Sequence, residues 1–226
     1  MNGKQLLKTA RPILFNTDMV KAILDGKKTE TRRTMKPQPW NIGQGKDECR
    51  HEKGFFDTGK NEWACRQCGC GIIPMKGGSY FHAPYQPEDI LYVRETWQYL
   101  YELDGNEEII EGTGRYYYAA TDQLPCNGYI DSRGVSHENI PWKPSIHMPK
   151  KAARIFLKVT DIRPERLQDI DDNGVVAEGL QIGDPFDDLW NSIIKKADQD
   201  RYGWDANPWV WVIEFERCEK PEEWCV

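Results

Sequence analysis

The sequence predicts an α+β fold, a small mixed β-barrel with short flanking helices. Three observations carry this. Apolar, strand-like runs stand near both ends, at 12–15 and 209–215. Short amphipathic helical patterns lie between the strands. No internal repeat or low-complexity linker divides the chain, so its 226 residues read as one domain, 1–226, carrying two insertions.

In order along the chain, Pro12–Phe15 reads as a short buried strand. Asn16 and Thr17 then offer an N-cap for a helix over Asp18–Leu24, whose Met19, Val20, Ile23 and Leu24 share a face. Gly26 ends that helix, and Thr29–Arg33 alternates as a strand. From about 37 to 88 the apolar runs vanish while Gly and Cys become frequent, the texture of an insertion with little core of its own. Ile90–Val93 restarts the core. The stretch 98–145 reads as a second elaboration around a strand at Arg115–Ala119. Ala153–Asp161 alternates as a half-buried strand, Leu167–Ala177 reads as a helix and Pro185–Lys196 as an amphipathic one. Trp209–Phe215 closes the fold as a core strand.

Composition excludes several classes. Hydrophobic residues are 39% and aromatics number nine Trp, ten Tyr and seven Phe, too many for a disordered chain. Mean hydropathy is −0.73 and no apolar run reaches the 18 or so residues a membrane span needs, so no membrane partner is expected. Residues 1–12 carry cations with no apolar segment behind them, which leads us to expect a cytoplasmic protein. The net charge of −6 supplies no bulk attraction to nucleic acid, so such binding must rest on a local basic patch.

The cysteines cluster in the first insertion. Cys49 and His51 are followed by Cys65, Cys68 and Cys70, and the Cys65-x-x-Cys68-Gly turn lets two thiolates face one ion. The expected site is a structural zinc held by Cys49, His51, Cys65 and Cys68, with Cys70 the substitute for His51. Metal binding would supply folding energy to a segment poor in apolar residues.

The densest charge lies just after the first helix, where Gly26-Lys-Lys-Thr-Glu-Thr-Arg-Arg33 and Lys36 place five cations in ten positions. One reading is a solvated turn that complements the helix dipole. The other is an anion or nucleic-acid contact made by Lys27, Lys28, Arg32 and Arg33.

This segment, from Ile23 to Arg33, resembles the signature of the ASCH domain, a branch of the PUA-like superfamily. Asp89–Trp97 resembles the family's Gly-Asp-x-Leu-x-Val strand, with Glu88 in place of the Gly. Ala177-Glu178-Gly179-Leu180 and Trp190 followed by Asn207–Phe215 resemble its later elements. The layout, including Pro84-Tyr85, is similar to proteins of tailed phages and prophages, which would place the protein in a host cytoplasm. The resemblance implies a PUA-like β-barrel, to which the cysteine cluster would add a zinc-stapled insertion, and a cleft that faces RNA or a modified nucleoside or nucleotide. Lys27, Lys28, Arg32, Arg33 and Arg94 would be its binding residues.

One subgroup of small ASCH proteins hydrolyses N4-acylated cytidines, and the resemblance carries its catalytic residues onto Lys28, Thr31 and Glu178. Like charges around Lys28 would lower its pKa towards a reactive amine, Thr31 could attack or donate, and Glu178 could shuttle the proton. Three readings therefore stand: an RNA- or nucleotide-binding module, an N4-acylcytidine amidohydrolase, and a non-catalytic host-interaction protein.

Overall fold

In a computed structural model the residues described are 10–36, 38, 54–57, 62–65, 83–106, 108–125, 129–130 and 136–220. They fall into two compact units: residues 1–25, 90–157 and 217–226, and residues 26–89 and 158–216. Among the described residues no helix is long and apolar enough to cross a membrane.

In the first unit, β1 (Arg11–Leu14) pairs in parallel with β5 (Ile90–Arg94), Arg11 opposite Leu91 and Leu14 opposite Arg94. Helix α1 (Thr17–Leu24) follows β1 directly. Its N-cap is Asn16, whose Oδ1 accepts the Met19 N–H at 2.8 Å, and it buries Val20 and Ile23. The hairpin β6 (Trp97–Leu100) and β7 (Arg115–Tyr118) sets Trp97 opposite Tyr118. Ile90, Trp97, Met148, Ala152, Ala153 and Phe156 form the core. Buried Glu95 receives two 2.9 Å hydrogen bonds from Arg154, whose guanidinium lies over the Tyr118 ring. The short pair β8 (Tyr129–Ile130) and β9 (Ser136–His137) also belongs here.

In the second unit, β2 (Glu30–Thr34) runs antiparallel to β11 (Trp209–Cys218), and β11 is flanked on its other side by β10 (Phe156–Arg166). The first two residues of β10 and the last two of β11 are counted with the first unit. Three short helices, α2 (Asp172–Ala177), α3 (Phe186–Ile193) and α4 (Gln199–Tyr202), lie between β10 and β11 in sequence. Leu167, Phe186, Trp190, Val210 and Val212 are the core. In the first insertion, β3 (Gly54–Asp57) and β4 (Glu62–Cys65) form an antiparallel pair.

The α+β class is borne out as a mixed sheet with few short helices. Neither unit closes a barrel among the described residues, and β2 has a strand partner on one side alone. Several boundaries shift for local reasons. The segment expected as one helix over 167–177 splits into a 3₁₀ turn at Leu167–Asp169 and α2. Asp171 takes extended φ/ψ between them and caps α2 by accepting the Gly174 N–H. The strand expected over 153–161 starts at Phe156 and runs on through Pro164 to Arg166. Glu88, where the resembled pattern has glycine, takes φ 74°, the left-handed region that favours glycine.

Candidate functional site

The site grows out of β2 and its open edge. Gly26, at φ 73°, turns the chain out of α1, after which Lys28 forms a single antiparallel bridge with Glu178 and Thr29 donates its N–H to the Ala177 carbonyl at 2.8 Å. Gly179, at φ 91°, makes the matching turn after α2, and its N–H returns to the Val176 carbonyl. Two left-handed turns thus bring residues 150 positions apart side by side, and the 177–178 segment covers part of an edge that would otherwise present unpaired backbone groups.

Glu178 is the hub. Its Oε1 accepts the Arg32 main-chain N–H at 2.7 Å and faces the Arg32 guanidinium at 3.4 Å. Its Oε2 pairs with the Lys28 ammonium, which also donates to the Glu178 carbonyl at 3.0 Å. The Lys28 and Glu178 side chains are 0% and 5% exposed, so the pair is sealed from water. Burial lowers the Lys28 pKa below its usual value, against the raising effect of Glu178. The neighbouring charges of Arg33 and Arg32 push it the same way as burial. Burial also lowers Arg33, opposed by Glu178 and Tyr85.

Thus the structure brings Lys28, Arg32 and Glu178 together, and it buries Thr31 three residues along the same strand. Strand alternation turns Thr31 and Arg33 to the face opposite Glu30 and Arg32. Lys27 and Lys36 are exposed, Lys36 over the Tyr202 ring. Glu178 takes Lys28 and Arg32 as its partners. Arg94 belongs to the first unit, where its guanidinium donates to the Met148 carbonyl at 2.9 Å and to the Ile146 carbonyl. The expected solvated turn is half internal: Lys28 and Arg32, at 2% and 4% exposure, neutralise carboxylates instead of facing solvent.

On the Glu30 and Arg32 face lies a network that sequence reasoning missed. The register sets Glu30 opposite Glu214, a like-charge pair that is destabilising alone. Arg163 of β10 offsets it by reaching Glu30 at 3.0 Å and Glu214, while its Nε donates to Glu165 at 2.7 Å. Burial works against the Arg163 charge, but these carboxylates hold its pKa above the usual guanidinium value. Arg32 contacts Glu30 and lies 3.8 Å from Glu165. A sequence signal existed: Asp161, Arg163 and Glu165 alternate at the period of one strand face. The network borders a cavity of about 400 Å³ whose wall includes Glu30, Arg32, Arg163, Glu165, Gly174 and Glu214. Neither Lys28 nor Glu178 lines it.

The expected zinc ligands Cys49, His51 and Cys68, with Cys70, lie outside the described residues. Cys65 is described only as the last backbone position of β4. Among the described residues no group of three His, Cys, Asp or Glu side chains is arranged to hold a metal ion. Comparison of the chain with protein-family models, with curated proteins and with solved structures found no match.

Proposed function

We propose that the protein is an amide hydrolase of the ASCH type, acting on an N4-acylated cytidine-like nucleoside, with Lys28, Thr31 and Glu178 as its reacting groups. The observation that supports this is the buried Lys28–Glu178 pair. An ammonium whose pKa is lowered by burial gives up its proton more readily than a free lysine, the direction a base or nucleophile requires, and a carboxylate in contact with it gives that proton a place to go. The net reaction is hydrolysis of the acyl C–N bond, giving a carboxylic acid and the free exocyclic amine. In this scheme the Thr31 hydroxyl or the Lys28 amine attacks the acyl carbon, the proton it loses passes by way of Glu178 to the departing amine as the C–N bond breaks, and water then cleaves the acyl–enzyme bond, releasing the acid and restoring the side chain. The Arg32 main-chain N–H holds Glu178 in place and so is not free to stabilise the oxyanion. Because the pair is sealed, turnover requires the Lys28–Glu178 bridge and the Thr29–Ala177 hydrogen bond to open.

RNA or nucleotide recognition is a second reading, and one observation favours it. In the first unit, exposed Arg115 and Lys150 lie 5.0 and 5.9 Å from the half-buried rings of Tyr117 and Tyr92, a pairing of cations with rings suited to single strands. The structural zinc of the first insertion stands as a proposal from sequence.

Turnover of N4-acetylcytidine, followed by chromatography for wild type, Lys28→Ala and Glu178→Ala, tests the hydrolase. Release of cytidine by wild type, reduced by about 10²-fold or more in both variants, is expected. An inert wild type that binds RNA with a steep salt dependence overturns it in favour of the binding module. Inertness together with no RNA binding leaves the host-interaction protein.

A further inference from the structure

We propose that Arg163 is a positioning residue for the Lys28–Glu178 pair: by neutralising Glu30 and Glu165 it leaves the Arg32 guanidinium free to lean on Glu178, and so limits the hold of Glu178 on the Lys28 proton. The part this plays in turnover rests on the hydrolase reading, whereas the effect on Lys28 does not.

A chain of contacts runs from β10 through β2 to the end of α2. Arg163 reaches Glu30 of β2 at 3.0 Å and donates through Nε to Glu165 at 2.7 Å. Asp161 of β10, at 3.3 Å, and Glu214 of β11 also face it. Arg32 contacts Glu30, stands 3.8 Å from Glu165 and stands 3.4 Å from Glu178, so one guanidinium is shared among three buried carboxylates. Such charges interact through a low dielectric, and a carboxylate that loses one cation pulls strongly on the next. Gly174 of α2 makes room for this arrangement: a Cβ there would stand 2.9 Å from Arg32 Nη2.

The distances decide which contact gives way. The approaches of Arg32 to Glu165 and Glu178 are the longest of its three, so they trade against each other. With Arg163 in place, Glu165 already has a guanidinium at 2.7 Å and draws weakly on Arg32. Without it, Glu30 and Glu165 both turn to Arg32, the 3.8 Å gap closes and the 3.4 Å contact to Glu178 lengthens. Glu178 then gives its charge more fully to Lys28. Glu178 favours the Lys28 ammonium, while Arg33 and Arg32 oppose it. Drawing Arg32 away therefore raises the Lys28 pKa, against the needs of a base or nucleophile.

NMR titration of the full chain labelled with carbon-13 lysine tests this, the Lys28 signal being the one lost in Lys28→Met. Arg163→Gln should raise the Lys28 midpoint by about one pH unit, a roughly tenfold smaller fraction of free amine at neutral pH. Arg163→Lys, which keeps the charge, should recover most of that shift. Glu165→Gln removes a competitor for Arg32 with little change of shape and should lower the midpoint. Glu214→Gln takes the same charge from a half-exposed partner of Arg163 and should lower it less. Each variant is first checked for a cooperative thermal transition, and Glu165→Gln decides if Arg163→Gln fails to fold. An unmoved midpoint overturns the proposal. So does a shift in the same direction in Arg163→Gln and Glu165→Gln, as loosened packing would give, or an equal shift in Glu165→Gln and Glu214→Gln, as background charge would give. Turnover of N4-acetylcytidine against pH should be displaced in the same directions as the midpoints. An inert wild type removes the hydrolase reading and leaves the titration to decide on Arg163.

Discussion

Glu178→Leu should destabilise the protein more than Lys28→Met, although each removes one half of the same ion pair. The asymmetry follows from what each deletion strands. Lys28→Met replaces an ammonium by a chain of similar length. Glu178 then keeps the Arg32 main-chain N–H at 2.7 Å and the Arg32 guanidinium at 3.4 Å, so its charge remains matched. The loss is close to two charge-assisted hydrogen bonds, of which the partners are partly re-used, and about 1–3 kcal/mol is expected. Glu178→Leu strands two groups at once. The Arg32 N–H loses its acceptor in a buried setting, and Lys28 keeps the residue-178 carbonyl but no carboxylate. Breaking a buried pair from this side costs about 3–5 kcal/mol. The double variant Lys28→Met/Glu178→Leu should be more stable than Glu178→Leu alone, because it removes the orphaned charge. The assay is urea denaturation at pH 7, followed by circular dichroism and by tryptophan fluorescence. A pH series adds a sign. Unfolded Lys28 holds its proton up to about 10.5 whereas the folded group releases it earlier. The unfolded state therefore binds more protons between the two values, and stability rises with pH across that window. Lys28→Met should flatten the rise. If Lys28→Met costs as much as Glu178→Leu, or if both cost under about 1 kcal/mol, Glu178 is not the hub described here.

Two further outcomes follow from single residues. Burial pushes the Tyr118 hydroxyl up to about 12, and it donates to the Ala152 carbonyl at 2.7 Å. The folded state keeps that proton after the unfolded one has lost it near 10, so this contribution is complete below pH 10 and lost as pH rises towards 12. Tyr118→Phe should therefore be less stable than wild type at neutral pH and show a shallower alkaline loss, read from thermal melts between pH 8 and 12. Separately, Glu88 at φ 74° carries strain that only glycine relieves, so Glu88→Gly should be more stable than Glu88→Ala by about 1 kcal/mol in the same melts. Both variants lose the exposed contact to Lys158 equally, which isolates the backbone effect.

Much of the local structure is legible in the sequence because short-range physics specifies it. Asn16 before an amphipathic run marks the start of α1, and Gly26 marks its end. The apolar runs at Ile90 and Trp209 are the strands β5 and β11. Periodicity alone does not show where a strand stops: β10 continues through Pro164 because it lies beside β11, and no residue of its own announces that. The pairing of Lys28 with Glu178 spans 150 residues, and no spacing rule reaches that far; the resemblance to a family named both residues without saying that they touch. The five cations between Lys27 and Lys36 look alike as letters. Tertiary packing divides them, burying Lys28 and Arg32 against carboxylates while Lys27 and Lys36 stay in solvent. The register of β2 on β11 makes the largest difference. It places Glu30 opposite Glu214, Arg163 then neutralises both, and an acidic cavity arises beside a segment that reads as basic. Charge is written residue by residue, but whether a charge meets water, its opposite or its like depends on which strands become neighbours.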